Sequence, residues 1–545
     1  MKIVYRSLFA GLFLLLVNHS IADNYPKNFS IDILHYRFEL TLSDDNDIIV
    51  GKTTVRFKIK KADVTQLRLD LVNPKEAQGK GMTIDGVYLK DKKLTYTHQN
   101  NEVFISLDPQ PKTNEELEIV IEYHGVPADG LRIGATKYGD RSFFNENWPN
   151  RARHWLPVVD HPYDKATSEF VVKAPVHYQV ISNGLLMEET ILDSKTKLTH
   201  WKQSVPVSSW LYVLGVAEFA VQYVDTWEGK SIQTWVYNKD RAAGFYDFAE
   251  PTKQVLGFFS DYVGPCAYEK MANVQTPSVK GGMETSSAIF YDENLIDGKR
   301  STRLRNVVIH ELAHQWFGNA VTETTWDESW LSEGFATYFT MLFIEHAYGR
   351  EELVAQLQSS KATALKFISQ NPDYKIIDDR SPEKTSVTSA LTYQKGAWVL
   401  HMLRNKIGDV AFKKGIQNYY RKYLNANATT EDFRQCMENV SGQNLELFFN
   451  QWLRQGSALT IQGTWSYDEK KKIVTLKLKQ TQTTNFSFDI EVGVYPSGKN
   501  IPDVSTHAVN SKEFELTIPS ATRPDKVALD TGLSLFAVTE LKEIK

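Results

Sequence analysis

Beyond its first twenty-two residues the chain opens on period-two alternation. Tyr36, Phe38, Leu40 and Leu42 alternate with polar positions, and after the turn-forming stretch "SDDND" the same spacing returns at Val55, Phe57 and Ile59. Such alternation, broken by turn residues, predicts antiparallel strands with one buried face. Similar short runs continue to about Val224. From Asp225 the spacing becomes helical, as in Phe335, Phe339, Leu342 and Phe343, and strand signals fade until "SALTIQGTW" near Ser457. Period two then returns at Phe488, Ile490, Val492 and Val494 and at Phe514, Leu516 and Ile518, with Pro496, Gly498 and Pro519 as breaks. The expected fold is multidomain α+β: an antiparallel β domain over 23–224, a mainly helical domain over 225–456 and a small β domain over 457–545. A chain of 545 residues is too long for one hydrophobic core, which agrees with several domains.

The first twenty-two residues follow neither pattern. Lys2 and Arg6 precede the apolar run "SLFAGLFLLLV", Ser7 to Val17, and "SIA" ends at Ala22. A basic start, a short apolar stretch and small residues before a polar one predict a secretory signal peptide cleaved before Asp23. The run is shorter than the roughly 20 residues of a spanning helix, so the expected product is exported, periplasmic or secreted, without stable membrane insertion after cleavage.

Composition narrows the rest. With 42% hydrophobic, 12% aromatic and 23% charged residues, the chain has an ordinary globular make-up. Lys+Arg 62 against Asp+Glu 66, with no basic stripe, argues against a nucleic-acid partner. The run Lys470 to Lys472 reads as a solvated hairpin. Cys266 and Cys436 are the only cysteines, which allows at most one internal disulfide and excludes a thiolate zinc cluster.

Candidate chemistry lies in the helical third. "VVIHELAHQWFGN" places His310 and His314 four apart, one turn above each other on a helix, where two imidazoles can face one ion. Glu311 projects beside them and can reach a metal-bound water. The spacing alone also suits two hydrogen-bonded histidines on a core helix. A catalytic zinc needs a third protein ligand. The class that supplies a third histidine requires Gly and His where this chain has Phe317 and Ala320, and is excluded. Gly318 can cap the first helix, and "WLSEGFATYFTMLFIEHAYG" starts a return helix with Glu333 in its first turn. That carboxylate can meet the two histidines, or it can simply favour the helix dipole.

Taken together, "HELAHQWFGNAVTETTWDESWLSEGFATYF" resembles the aminopeptidase-N family of gluzincin metallopeptidases: His-Glu-x-x-His, eighteen residues, then Glu. "GGMET", Gly281 to Thr285, resembles that family's Gly-x-Met-Glu-Asn segment, and "TYQKG" resembles its Tyr-x-Lys-Gly segment. "HYRFELTL", "RARHWLPVVDHPYDKATSEF" and "FFNQWLRQGSALT" extend the likeness over most of the chain. The resemblance implies one zinc ion held by His310, His314 and Glu333, in a thermolysin-like, mainly helical catalytic domain followed by a small C-terminal β-sandwich. It implies a metal-bound water as nucleophile, Glu311 as general base and Tyr393 as oxyanion stabiliser. The substrates implied are peptides with a free N-terminus, whose ammonium group would be held by Glu284. Gly281 and Gly282 would offer backbone to the peptide, and Met283 would line the pocket for the first side chain. Glu146 or Asn147, in "FFNENWPN", would supply the N-terminal domain's contact to the amine.

Three departures stand out. Thr285 replaces the family's Asn. Thr340 stands seven residues after Glu333, where the family often has a glutamate, which leaves Asp327 as the nearest carboxylate for orienting a ligand histidine. The large helical C-terminal domain of many members is not seen, and a more open site is expected. Alternative functions are a zinc endopeptidase, an epoxide hydrolase of the same fold and a catalytically inactive binding scaffold. The preferred N-terminal residue and the oligomeric state are not readable from the sequence.

Overall fold

The computed structural model describes residues 23–378 and 387–544, so the expected signal peptide lies outside the described residues. The N-terminal region is β-rich. Ile31–Thr41 runs antiparallel to Ile49–Ile59, with Tyr36 opposite Val55, and parallel to Ala166–Pro175, with Phe38 opposite Phe170, inside an eight-stranded sheet. Tyr36, Phe38 and Leu40 are buried while Arg37 and Glu39 are half-exposed, as the alternation requires. A four-stranded and a three-stranded sheet complete this region.

The middle third is less helical than its spacing predicts. It starts with a five-stranded sheet built from β1 (Phe219–Trp227), β2 (Lys230–Tyr237), β3 (Lys270–Thr276), β4 (Gly282–Met283) and β5 (Ala288–Asp292), in the order β1-β2-β3-β5-β4. β3 is parallel to both β2 and β5, and every residue of β3 and β5 is buried. Strands covered on both faces carry no alternation, so period two could not reveal them. β1 pairs with β2, so a division at 224/225 cuts the first hairpin of this sheet; the second sheet-bearing region begins at Phe219.

Three helices carry the candidate chemistry: α1 (Thr302–His314), α2 (Trp330–Tyr348) and α3 (Gly396–Ile407). The Ser301 hydroxyl accepts the Leu304 N–H at 3.2 Å and caps α1. α2 is buried on nearly all sides, from Trp330 through Ile344, as befits a central helix. α2 and α3 touch backbone to backbone where Gly334 meets Gly396: a Cβ on Gly334 would lie 3.0 Å from the Gly396 Cα. Two glycines thus allow the approach that brings the segment before α3 to the first turn of α2.

The C-terminal region holds a four-stranded and a three-stranded sheet. Phe488, Ile490, Val492 and Val494 are buried along one strand, Phe488–Pro496. The last helix ends at Arg454 and the first of these strands starts at Leu459, on either side of the expected 456/457 division. Cys266 and Cys436 are both buried and unpaired.

Candidate metal centre and active site

α1 and the first turn of α2 bring three donors to one point. His310 Nε2 lies 3.1 Å from His314 Nε2 and 3.5 Å from Glu333 Oε2, and His314 Nε2 lies 3.3 Å from Glu333 Oε2. Ligand atoms about 2.0–2.1 Å from a tetrahedrally bound ion sit about 3.3–3.4 Å from one another, so this triangle has the size that a zinc ion needs. Glu333 Oε2 is buried with no hydrogen-bond partner among the described residues. Two imidazole nitrogens and a buried carboxylate oxygen converging at this spacing fit a metal ion, which would take the place of the ring protons that otherwise face the carboxylate.

The surroundings fix these ligands. His314 Nδ1 lies 3.1 Å from both the Phe317 carbonyl and the Ser332 hydroxyl, contacts that set ring orientation and tautomer. Ser332 precedes the ligand Glu333. Asp327, the carboxylate that the sequence offered for this orienting role, accepts the backbone N–H of Asp23 at 2.9 Å. Thr340 points its hydroxyl back to the Ala336 carbonyl at 2.7 Å, a local bond within α2.

Glu311 and Glu284 share the space beside the triangle. Both line a cavity of about 500 Å³ with His310, His314, Glu333 and Tyr393. Burial pushes the Glu311 carboxyl well above the carboxylate range, and the charge of Glu284 adds to this. Burial also raises Glu284, to about 7, with His314 opposing and Glu333 adding. His314 goes the other way: burial works against its charge, but Glu284 and Glu333 outweigh it and lift the imidazole to about 10. Burial likewise opposes ionisation of Glu333, yet His314 and His310 hold it down at about 2. Three buried carboxyl groups around two imidazoles form a site short of positive charge.

Gly282, in the edge strand β4, has a steric reason. A Cβ there would lie 2.4 Å from both Cγ and Oε1 of Glu311. Gly282→Ala is expected to displace the Glu311 carboxylate and lower turnover by about 100-fold while bound metal stays at one equivalent, checked by steady-state kinetics beside metal analysis. Tyr393 lies in a wide helical turn, Leu391–Lys395, immediately before α3. Its hydroxyl donates to Glu333 Oε1 at 2.8 Å, and its ring stacks beside His310 with centroids 6.1 Å apart.

Glu284 is anchored by its backbone: Gln315 Nε2 and Asn319 Nδ2 donate to its carbonyl at 3.0 and 2.6 Å. Neither residue was singled out in the sequence. The signal was present, since Gln315 and Asn319 stand four apart in an otherwise apolar stretch and buried amides need partners. Thr285, at the position of the family's Asn, donates its hydroxyl to the Ala288 carbonyl at 2.5 Å. Gly281 and Gly282 line the same cavity, and Met283 is buried beside them.

Glu146 and Asn147 are not brought to this cavity. Glu146 pairs with Arg151 and lines a separate cavity with Asp129, Gly130 and Arg132. Asn147 is fully buried, accepting from Trp155 Nε1 at 3.0 Å and donating to the Ser209 carbonyl at 3.2 Å. Both side chains are committed to structural partners.

Residues 248–452 match the Peptidase family M1 domain and residues 33–211 match the Peptidase M1 N-terminal domain. The chain belongs to the M1 peptidase family. M1 relatives include glutamyl aminopeptidase of Rattus norvegicus, 30% identical over 349 residues that make up 61% of this chain and 37% of that protein. Glutamyl aminopeptidase of Bitis rhinoceros is 28% identical over 77% of this chain and 46% of that protein. Aminopeptidase M1-C of Oryza sativa subsp. japonica is 31% identical over 61% of this chain and 38% of that protein. The chain spans less than half the length of these M1 relatives.

Proposed function

We propose that this chain is a zinc-dependent aminopeptidase, which hydrolyses the first peptide bond of peptides with a free N-terminus. The observation that carries the reading is Glu284. Its carboxyl is buried in the cavity, Oε1 has no hydrogen-bond partner among the described residues, and it lies 3.9 Å from His314 Nδ1. A substrate ammonium group supplies the missing donor and places the first peptide bond beside Glu311. The names of the M1 relatives support the same class.

His310, His314 and Glu333 would hold the zinc, which supplies Lewis-acid polarisation of the scissile carbonyl and acidifies a water toward neutral pH. Glu311, with its raised proton affinity, takes a proton from the attacking water and delivers it to the leaving amine. Tyr393 keeps its proton, because burial and the neighbouring Glu333 raise its hydroxyl well above the usual range, and so serves as a donor to the developing oxyanion. A thermolysin-like layout is supported by a mixed sheet whose edge strand β4 runs past α1. The two C-terminal sheets support a β-sandwich. Export through the segment before Asp23 belongs to the same reading.

The test is a panel of aminoacyl arylamides, free and Nα-acetylated, with and without a zinc chelator. Free substrates are expected to be cleaved, and both acetylation and the chelator are expected to abolish cleavage. Cleavage of acetylated substrates at a similar rate would make the protein an endopeptidase. No turnover of any free substrate by zinc-loaded protein would make it a binding scaffold. Glu284→Ala is expected to raise KM and lower kcat, a loss of about 100-fold in kcat/KM or about 2–3 kcal/mol, as for removal of one partner from a buried charge pair.

A further inference from the structure

The first described residue, Asp23, is held through its backbone nitrogen and its side chain although no strand or helix includes it. Its backbone N–H donates to Oδ2 of Asp327 at 2.9 Å. Its side chain, 5% exposed, lies 2.7 Å from His161 Nε2 and 3.4 Å from Lys27 Nζ. His161 Nδ1 accepts the Tyr163 N–H at 3.2 Å, so in the neutral ring Nε2 carries the proton and donates to Asp23. Tyr25 stacks on His161 with ring centroids 4.5 Å apart, and its hydroxyl donates to Asp70. Asp23 and Tyr25 are thus pinned to the N-terminal domain by their side chains, and Asp23 to the metal-bearing region by its backbone nitrogen.

That nitrogen is the atom which the sequence marks for release. Cleavage before Asp23 adds water across the Ala22–Asp23 amide: Ala22 departs with a carboxylate, and the Asp23 nitrogen keeps its electron pair and becomes an ammonium group. We propose that this processing creates a site of its own, in which the new α-ammonium of Asp23 forms a buried ion pair with Asp327 and latches the start of the mature chain to the turn that leads into α2. Asp327 is 7% exposed and lies in the short 3-10 helix Trp326–Glu328. Ser329 follows it, and the Ser329 carbonyl accepts the N–H groups of Ser332 and Glu333 at 3.1 and 3.0 Å. The pair therefore bears on the segment that sets both the ligand Glu333 and the Ser332 hydroxyl beside His314. Trp326 packs edge-on against Trp148 of the N-terminal domain, with centroids 4.7 Å apart, so this turn is already an interdomain joint.

The chemistry separates an ammonium from an amide. An uncleaved chain offers Asp327 one neutral N–H, whereas the mature chain offers a full charge and up to three donors at the same place. The proposal rests on the export reading for the cut and is independent of the aminopeptidase reading.

Two preparations test it. One begins at Asp23, released from a fusion by a protease that leaves no extra residue; the other keeps Ser20, Ile21 and Ala22. The form beginning at Asp23 is expected to unfold at least about 4 °C higher and to lose zinc to a chelator about tenfold more slowly. Asp327→Asn is expected to cost the form beginning at Asp23 more than it costs the extended form and so to bring the two together, a non-additivity that a general loss of packing would not give. Nα-acetylation of the form beginning at Asp23 is expected to reproduce the extended form, and this arm holds even if Asp327→Asn does not fold. Equal melting and equal zinc loss for the free and acetylated ends, or equal damage by Asp327→Asn in both forms, would overturn the latch. N-terminal sequencing of exported protein is expected to read Asp-Asn-Tyr; a different start would overturn the processing step.

Discussion

Glu311→Gln is expected to keep its metal and lose its turnover. Glutamine matches the carboxylate in shape, so the tight fit against Gly282 survives and α1 holds its two histidines in place. What disappears is the ability to take a proton and return it. General acid–base catalysis by one positioned group contributes about 10²–10⁴-fold, and kcat is expected to fall by that factor with little change in KM. Metal analysis of the same preparation should give one equivalent. A variant that retains near wild-type kcat would remove Glu311 from the proton-transfer role, and a variant that loses metal would assign Glu311 to the metal site.

The parts of this site that were legible in the sequence are those fixed by local geometry. Helical spacing alone puts His310 and His314 on one face, and a first-turn glutamate on the return helix needs only a short connection to reach them. Glu284 and Tyr393 are a different matter, since neither is placed by any periodicity. They came from resemblance, and the structure gives the reasons: an edge strand with glycine at 282, and a glycine pair, Gly334 and Gly396, that lets two helices touch. β3 and β5 leave no mark on the alternation because burial on both faces erases it. Where the side chains of Glu146 and Asn147 point follows from their pairing with Arg151, Trp155 and Ser209, which no periodicity encodes. Asp327 shows the converse: a carboxylate near the ligands in sequence is engaged by a chain segment 304 residues away.

Tyr393→Phe is expected to separate two roles that the geometry combines. The hydroxyl donates to Glu333 Oε1, which makes it a support for a metal ligand, and it lines the cavity beside Glu311 and Glu284, which makes it available to the reacting carbonyl. Removing one oxyanion donor typically costs about 10²–10³-fold in kcat, about 2.7–4 kcal/mol, because the lost bond is made to charge that develops only in the transition state. If that is its role, the phenylalanine variant keeps zinc with an affinity close to wild type, keeps KM and loses kcat by that factor. If the hydroxyl serves only to hold Glu333, zinc affinity falls instead, and kcat measured at saturating zinc returns to nearly the wild-type value. A zinc titration of kcat on wild type and Tyr393→Phe distinguishes them, and we expect the loss to persist at saturation. The high proton affinity of this buried phenol favours that outcome, since it remains a donor across the pH range in which Glu311 works.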